Sequence, residues 1–529
     1  MLTLSALAVK VIGMLYRIPL LGYLGTEGMG YFNAAYEVYA LFCVIATAGL
    51  PVAMSVLISA RDAGEQERGA SAHAERVFRA SLVAFLTIGL VGTALLWGLS
   101  APFAALLGSG GAVLCMRAIS PTVFLICLSA ALRGYFQGHR DMIPTAVSQV
   151  VEAAGKLVLG LVLAMWARSR GCDLPTTAAW AVLGVSLGTA LSLCYLALTK
   201  RCRYPRGRLA LRDTTPIRTV LRNLASTALP ITAGAGIMAL AKCLDLLLIH
   251  RRLADLGLSG VEIASLYGCY STLAIPLFNM LPALSTSIAL PAVPALASAF
   301  GRGKEGEAEV RRTATSAWRV TLAVSLPASL GLAVFSGDIL ALLFSGQPTA
   351  VAEATPWLSC LALSVPAACL VTVTGGMLQA AGRASRPTVA MLIGVAVKMA
   401  AAYVLIGKIG MMGAPVSSLV CDGVIVAVNL LSLGRYAPAM LPIRKDALQA
   451  VLTPAILSVL SVGAVMLLRN HFPSGIPSSL RTLLTVGTVA CFYGAGLLLA
   501  YLPKIKTADI LPRHIERRMT HETPDQDRA

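Results

Sequence analysis

Charge is the scarcest commodity in this sequence. Asp, Glu, Lys and Arg make up 13% of its 529 residues, against 57% hydrophobic. With a mean hydropathy of +0.76, that balance excludes a soluble globular protein of this size. Short alternating segments of the kind that build membrane barrels are missing too. In their place stand apolar runs of about 20 residues, the length of a bilayer-crossing helix.

Working motifs of common enzymes are absent as well. The chain holds no G-x-x-x-x-G-K-[ST] for a nucleotide phosphate and no H-E-x-x-H, and its single G-x-S-x-G, GVSLG at 184–188, lies in the middle of an apolar run and not at a strand-to-helix turn. Its six histidines lie in loops, near span ends or in the tail, without a ligand spacing. No C-x-x-C occurs among the twelve cysteines, most of which sit inside apolar runs (Cys43, Cys127, Cys194, Cys243, Cys369, Cys421, Cys491). They read as small apolar fillers, so no metal, cofactor or disulfide framework is expected. No loop exceeds about two dozen residues, too few for a catalytic domain outside the membrane, so the expectation is a non-enzyme. The N-terminus has no basic leader, and Lys10 and Arg17 interrupt its apolar run, so a cleaved signal is not expected.

What is present is an all-α polytopic pattern. Apolar runs bounded by charge or Gly/Pro give fourteen spans, near 2–22, 33–58, 79–100, 118–136, 143–166, 178–199, 224–249, 264–291, 317–343, 356–379, 387–407, 412–434, 447–468 and 480–502. The eighth is rich in proline, with Pro276, Pro282 and Pro291 inside it. Each proline removes a backbone hydrogen bond, which predicts a kinked or broken helix and a candidate gate.

The net charge of +18 is carried by the loops and does not point to nucleic acid. One set of alternate connections holds most of the Lys and Arg, including eight between Lys200 and Arg222 and several in the tail 503–529. The positive-inside rule then places both termini in the cytoplasm, as an even number of spans requires.

An internal repeat is legible. GLPVAMSVLIS (49–59) matches ALPAVPALASA (289–299), and FQGHRDMIPTAVSQVVEAAGK (136–156) matches LQAAGRASRPTVAMLIGVAVK (378–398). The offsets, 240 and 242 residues, are nearly equal and span six helices, so the copies should be parallel in topology. The expected organisation is an N-lobe over 1–199, a basic linker over 200–222, a C-lobe over 223–434, two further spans over 435–502 and a basic tail over 503–529.

Several ionisable residues fall inside these spans, among them the nine Lys10, Arg17, Glu37, Glu152, Lys156, Lys242, Asp245, Lys398 and Asp422. At roughly 2.5–3.5 kcal/mol each at the bilayer centre, lipid exposure of all nine would cost on the order of 20–30 kcal/mol. They must face water or one another. Glu152–Lys156 (i,i+4) and Lys242–Asp245 (i,i+3) read either as self-neutralising structural pairs or as functional groups. Lys10 and Arg17, two turns apart on one face, have no acid on their own span. Either Arg17 snorkels and Lys10 finds an acid elsewhere, or both line a water-filled cavity between the lobes. Lys156 and Lys398 are repeat equivalents, and Asp422 on the next span is a candidate partner for Lys398. Glu37, Glu152, Asp245 and Asp422 are candidate ion-coupling or charge-pair groups.

YRIPLLGYLGTEGMGYFNAAYEVYALFCVIATAGLPVAMS (16–55) resembles the N-terminal region of stage V sporulation protein B-like polysaccharide-biosynthesis proteins. LRGYFQGHRDMIPTAVSQVVE (132–152) resembles their fourth and fifth spans. These proteins belong to the multidrug/oligosaccharidyl-lipid/polysaccharide exporter superfamily. The resemblance implies two six-helix lobes around a central cavity, two added C-terminal helices and export of lipid-linked sugars across a bacterial cytoplasmic membrane. It also implies that basic residues on the first helix hold an anionic headgroup; Lys10 and Arg17 are the positions here that match. The implied function is a flippase for an undecaprenyl-pyrophosphate-linked saccharide, with Lys10, Arg17, Lys398, Lys156 and Lys242 as headgroup ligands. Expected partners are that lipid-linked substrate, membrane lipids and cell-wall synthesis enzymes, around a monomer. Two alternatives stay open: a cation-coupled drug exporter using Glu37, Asp245 and Asp422, and a membrane-embedded glycosyltransferase or ligase.

Overall fold

The computed structural model describes residues 2–62, 67–204, 216–289, 292–469 and 478–505. Among the described residues every regular element is a helix. This follows from the solvent: in hydrocarbon each backbone N–H and C=O must be satisfied within its own segment.

The first half of the chain supplies α1 (Leu2–Thr47), α2 (Leu50–Asp62), α3 (Glu67–Gly98), α4 (Ser100–Leu106), α5 (Ala112–Gly138), α6 (Ile143–Ser169) and α7 (Leu174–Arg203). The second half opens with α8 (Ile217–Asp255) and α9 (Gly260–Cys269), a π-helical turn (Tyr270–Ala274), α10 (Ile275–Ala289) and α11 (Ala292–Gly301). There follow α12 (Glu307–Val334), α13 (Ser336–Leu343), α14 (Pro348–Ala380), α15 (Ser385–Ile409) and α16 (Gly413–Tyr436). Two more, α17 (Arg444–Arg469) and α18 (Ser478–Ile505), complete the order.

Twelve of these helical segments are long and apolar enough to cross a membrane. Two of the twelve hold two crossings each, which brings the number to the expected fourteen. One is 385–436, which contains both α15 and α16. The other is α1, whose 46 residues would reach roughly 70 Å if straight. Instead the chain turns at Gly25, with φ 64° and ψ −177°, a backbone geometry that glycine adopts without a Cβ clash. The rings of Tyr16 and Phe32 consequently meet at 6.1 Å. In a straight helix sixteen residues would separate them by about 24 Å. The second crossing therefore begins just after Gly25, several residues before the expected start at 33.

The two halves repeat their packing. In the first, α5 packs against α3 and α7, and α6 against α7; in the second, α14 packs against α12 and α16, and α15 against α16. The turn that ends α5 is repeated 242 residues later at the end of α14. Arg140 N–H donates to the Gln137 carbonyl and Asp141 N–H to that of Phe136, both at 3.0 Å. Gly382 donates to Gln379 at 3.0 Å and Arg383 to Leu378 at 2.9 Å. The left-handed residue is Gly382 in one copy (φ 73°) and Arg140 in the other (φ 58°).

The added helices dock on the second half. Arg319 of α12 pairs with Asp446 of α17 at 2.7 Å, and the Tyr493 hydroxyl of α18 donates to the Ala323 carbonyl at 2.6 Å.

The expected break in the eighth span takes the form of the π-turn. Pro276 offers no N–H to the carbonyl four residues earlier, Thr272, and its ring presses on that carbonyl. Widening the backbone over 270–274 relieves both problems without ending the helix. Pro282 lies inside α10; Pro291 falls outside the described residues.

Candidate functional site

Folding α1 back at Gly25 sets Lys10 and Arg17 on its first arm opposite Tyr36 and Tyr39 on its second. With α5, α6 and α10 these arms enclose a cavity of about 540 Å³. Its charged lining consists of Lys10, Arg17, Arg133, Lys156 and Glu152, four cations against one carboxylate. Gln149 and Asn279 add amide groups, and Pro276 adds the first turn of α10.

Each cation is held differently. Lys10 is exposed to the cavity and makes no ion pair or hydrogen bond among the described residues. Arg17 neither snorkels outward nor pairs with an acid directly; its guanidinium donates to the Ser271 carbonyl at 2.5 Å. Lys156 sits among three rings, with its Nζ 4.5 Å from the centroid of Tyr36, 5.5 Å from Tyr16 and 6.0 Å from Phe32. Cation–π attraction helps keep an ammonium there without spending its charge on a carboxylate.

The expected local pair Glu152–Lys156 is replaced by a longer-range one. Arg133 of α5 donates to Glu152 at 2.8 Å, and also to Ser148 at 3.0 Å and Ser192 at 3.1 Å. Its planar fork fixes three partners on α6 and α7 at once, which an ammonium on a flexible stem cannot match. Arg133 lay within the span 118–136 but close to its end, where an arginine ordinarily snorkels, so sequence alone gave it no role.

A second cluster of charge lies apart from this cavity. Lys398 of α15 donates to Asp245 of α8 at 2.8 Å. The expected pairs Lys242–Asp245 and Lys398–Asp422 are therefore not the ones formed, because α8 and α15 face each other. Asp422 remains within electrostatic reach of Lys398 and near Ser364. Glu37, on the second arm of α1, feels Lys242, Arg17, Asp245 and Lys398. Neither Lys242 nor Lys398 lines the 540 Å³ cavity.

Where α1 meets α9 the halves of the molecule are joined backbone to backbone. A Cβ on Gly30 would lie 2.0 Å from the Ala264 carbonyl oxygen, and one on Gly268 1.9 Å from that of Thr26. Such small-residue contacts let helices approach closely in a membrane. The Thr26 and Ser265 hydroxyls are 2.6 Å apart at this contact. One helix turn along, the Asn33 amide donates to the hydroxyls of Ser271 (2.9 Å) and Thr272 (2.8 Å). The π-turn thus receives Arg17 and Asn33 together. Sequence periodicity offered no sign of it, because the partners lie 238 to 254 residues apart.

A family profile described as polysaccharide biosynthesis protein matches residues 1–300, and one described as MatE matches 268–404. Three proteins of Bacillus subtilis (strain 168) are similar over most of the chain. An uncharacterized membrane protein, YabM, is 25% identical over 88% of this chain and 84% of its own. The lipid II flippase MurJ is 25% identical over 75% of both, and stage V sporulation protein B 24% identical over 84% of both. Among solved structures, a lipid II flippase MurJ in an inward closed conformation superposes with a TM-score of 0.69 at 13% identity, covering 95% of this chain and 99% of that one. An inward-facing multidrug resistance transporter of the MATE family superposes at 0.65 with 16% identity, covering 83% and 95%.

Proposed function

The chain belongs to the polysaccharide biosynthesis protein family, and from that premise we propose that it is a membrane flippase for a saccharide linked to undecaprenyl pyrophosphate. The observation that carries this reading is the cavity, where four cations meet one carboxylate and three of those cations, Lys10, Arg17 and Lys156, have no carboxylate bound to them. A pyrophosphate is the complementary ligand: compact, multiply charged and rich in acceptor oxygens. Lys10, Arg17 and Lys156 contact it, while Arg133 holds Glu152 away and leaves one face of its fork toward the cavity. The polyprenyl tail stays in lipid.

Lys398 is a poor headgroup ligand because Asp245 already neutralises it, and Lys242 does not line the cavity. In this reading both termini face the cytoplasm, as the basic sequence between the two halves requires, and the headgroup enters from the cytoplasmic side. Moving net negative charge outward across a membrane that is negative inside is favoured by about 2.3 kcal/mol per charge per 100 mV. Arg17 meets the headgroup with the N–H groups that it does not give to the Ser271 carbonyl, which connects binding to the π-turn.

The test is translocation in proteoliposomes with a fluorescent lipid-linked saccharide added on one face. Wild type should move it across, and Lys10→Ala/Arg17→Ala should abolish movement while folding is retained. Normal movement by the double variant removes the headgroup assignment.

A cation-coupled drug exporter is the second reading. The MatE match and the acids Glu37, Asp245 and Asp422 favour it. Against it, Asp245 is already engaged by Lys398, and the cavity itself is cationic.

A further inference from the structure

A groove separate from the cationic cavity runs between α8 and α15, with a volume of about 570 Å³. Along α8 its wall is Leu244, Leu247 and Leu248, a single helical face, followed one turn later by Arg251 and Arg252. Met399 and Tyr403 line the α15 side. Apolar side chains beside it, Leu240 (48% exposed) and Val404 (50% exposed), point outward. On a membrane-spanning helix that direction is lipid, so the groove opens to acyl chains.

The two arginines at its end are not equivalent. Arg252 is built into the wall: it pairs with Asp255 at 2.7 Å, donates to the Tyr403 carbonyl at 3.0 Å and stacks 4.2 Å from the Tyr403 ring centroid. Its guanidinium packs against Gly407, where a Cβ would come within 2.2 Å. Asp255 is thereby used up. Arg251 is exposed and makes no ion pair or hydrogen bond among the described residues. It also lines an adjoining cavity of about 350 Å³ with His250 and Gly260. The end of an apolar groove therefore carries one uncompensated guanidinium, with a second fixed beside it.

We propose that this groove is a binding site for an anionic phospholipid, whose phosphate bridges to Arg251 while one acyl chain lies along Leu244, Leu248 and Met399. The chemistry is that of a phosphodiester recognised by a guanidinium fork at the water–hydrocarbon boundary, with the chain buried in contact with leucines. A zwitterionic lipid of the same length fills the groove equally well and offers the same phosphodiester, but its quaternary ammonium cancels the net negative charge and is repelled by the two neighbouring guanidiniums. The proposal does not depend on what the α1 cavity carries, since none of its residues lines that cavity.

The experiment is native mass spectrometry of the delipidated full chain titrated with phosphatidylglycerol or phosphatidylcholine of matched chains. Three proteins are compared: wild type, Arg251→Gln, and Lys408→Gln, which removes a cation from the same end of α15 outside the groove. Wild type should bind phosphatidylglycerol at least fivefold more tightly than phosphatidylcholine. Arg251→Gln should erase that preference, and Lys408→Gln should keep it. Equal loss in both variants, or no preference in wild type, overturns the proposal as general surface attraction. A parallel titration with inorganic phosphate separates the sources: if it displaces phosphatidylglycerol from wild type at comparable concentration, the groove recognises free phosphate and the lipid assignment fails.

Discussion

Arg17 and Ser271 stand 254 residues apart in the chain and meet at 2.5 Å, the guanidinium of one donating to the carbonyl of the other. The contact joins the first crossing to the π-turn of the eighth. Arginine suits this position because one N–H can hold the carbonyl while the others face the cavity. Lysine keeps the charge but cannot serve both directions in fixed geometry. Arg17→Lys is therefore expected to weaken binding of the lipid-linked pyrophosphate by about tenfold, or ~1.4 kcal/mol, measured by titration in detergent. Unchanged affinity would mean that charge alone matters there.

The contact between Thr26 and Ser265 offers a direct test of movement between the halves. Their hydroxyl oxygens lie 2.6 Å apart, within the range from which two cysteines can be bridged after small adjustment. The variant Thr26→Cys/Ser265→Cys should lose translocation on oxidation and regain it with reductant, while each single variant stays active in both conditions. Activity in the oxidised, cross-linked protein would show that this seam does not open.

The Asp245–Lys398 pair, with side chains 17% and 18% exposed, predicts a non-additive pair of substitutions. Removing either partner strands the other in a low-dielectric environment, at a cost of about 3–5 kcal/mol. Asp245→Asn and Lys398→Met should each lower the unfolding temperature markedly, and the double variant should recover most of the loss. Additive losses would mean that the two groups act through different partners.

The repeated corner after α5 and α14 makes a prediction at the level of a single backbone angle. Arg140 is the one non-glycine residue with positive φ among the described residues, and it is exposed. The left-handed conformation costs an L-residue roughly 1–2 kcal/mol relative to glycine. Arg140→Gly should raise thermal stability, while Gly382→Ala at the equivalent position should lower it by about 1 kcal/mol. A fall in stability for Arg140→Gly would assign the arginine side chain a contact that outweighs its strain.

Much of the architecture could be read from the chain because hydrocarbon imposes it one segment at a time. Runs such as 143–166 and 387–407 announce α6 and α15 by apolar length alone, and Pro276 announced irregular backbone where the π-turn lies. The repeat was legible for the same local reason, in Gln137 and Gln379 with their lysines nineteen residues on. Lateral packing was not legible, because within a bilayer helices associate through shape and polar contact that leave no periodicity. Hence Glu152 looked along its own helix to Lys156 but takes Arg133 from α5, and Asp245 takes Lys398 rather than Lys242. The same limit hid Asn33, whose partners Ser271 and Thr272 lie on another helix. Gly25 was present as one glycine among 47, and nothing local marked it as the corner that creates the cavity.

The central claim is that Lys10, Arg17 and Lys156 gather a pyrophosphate in the α1 cavity. It is tested most directly by measuring equilibrium binding of a polyprenyl-pyrophosphate disaccharide to wild type and to Lys10→Gln/Lys156→Gln, across a series of salt concentrations. Wild type is expected to bind with an affinity that falls steeply as salt rises, and the variant to bind at least tenfold more weakly with a shallower salt dependence. Equal affinity and equal salt dependence in the two proteins would contradict the account and return these cations to a structural role.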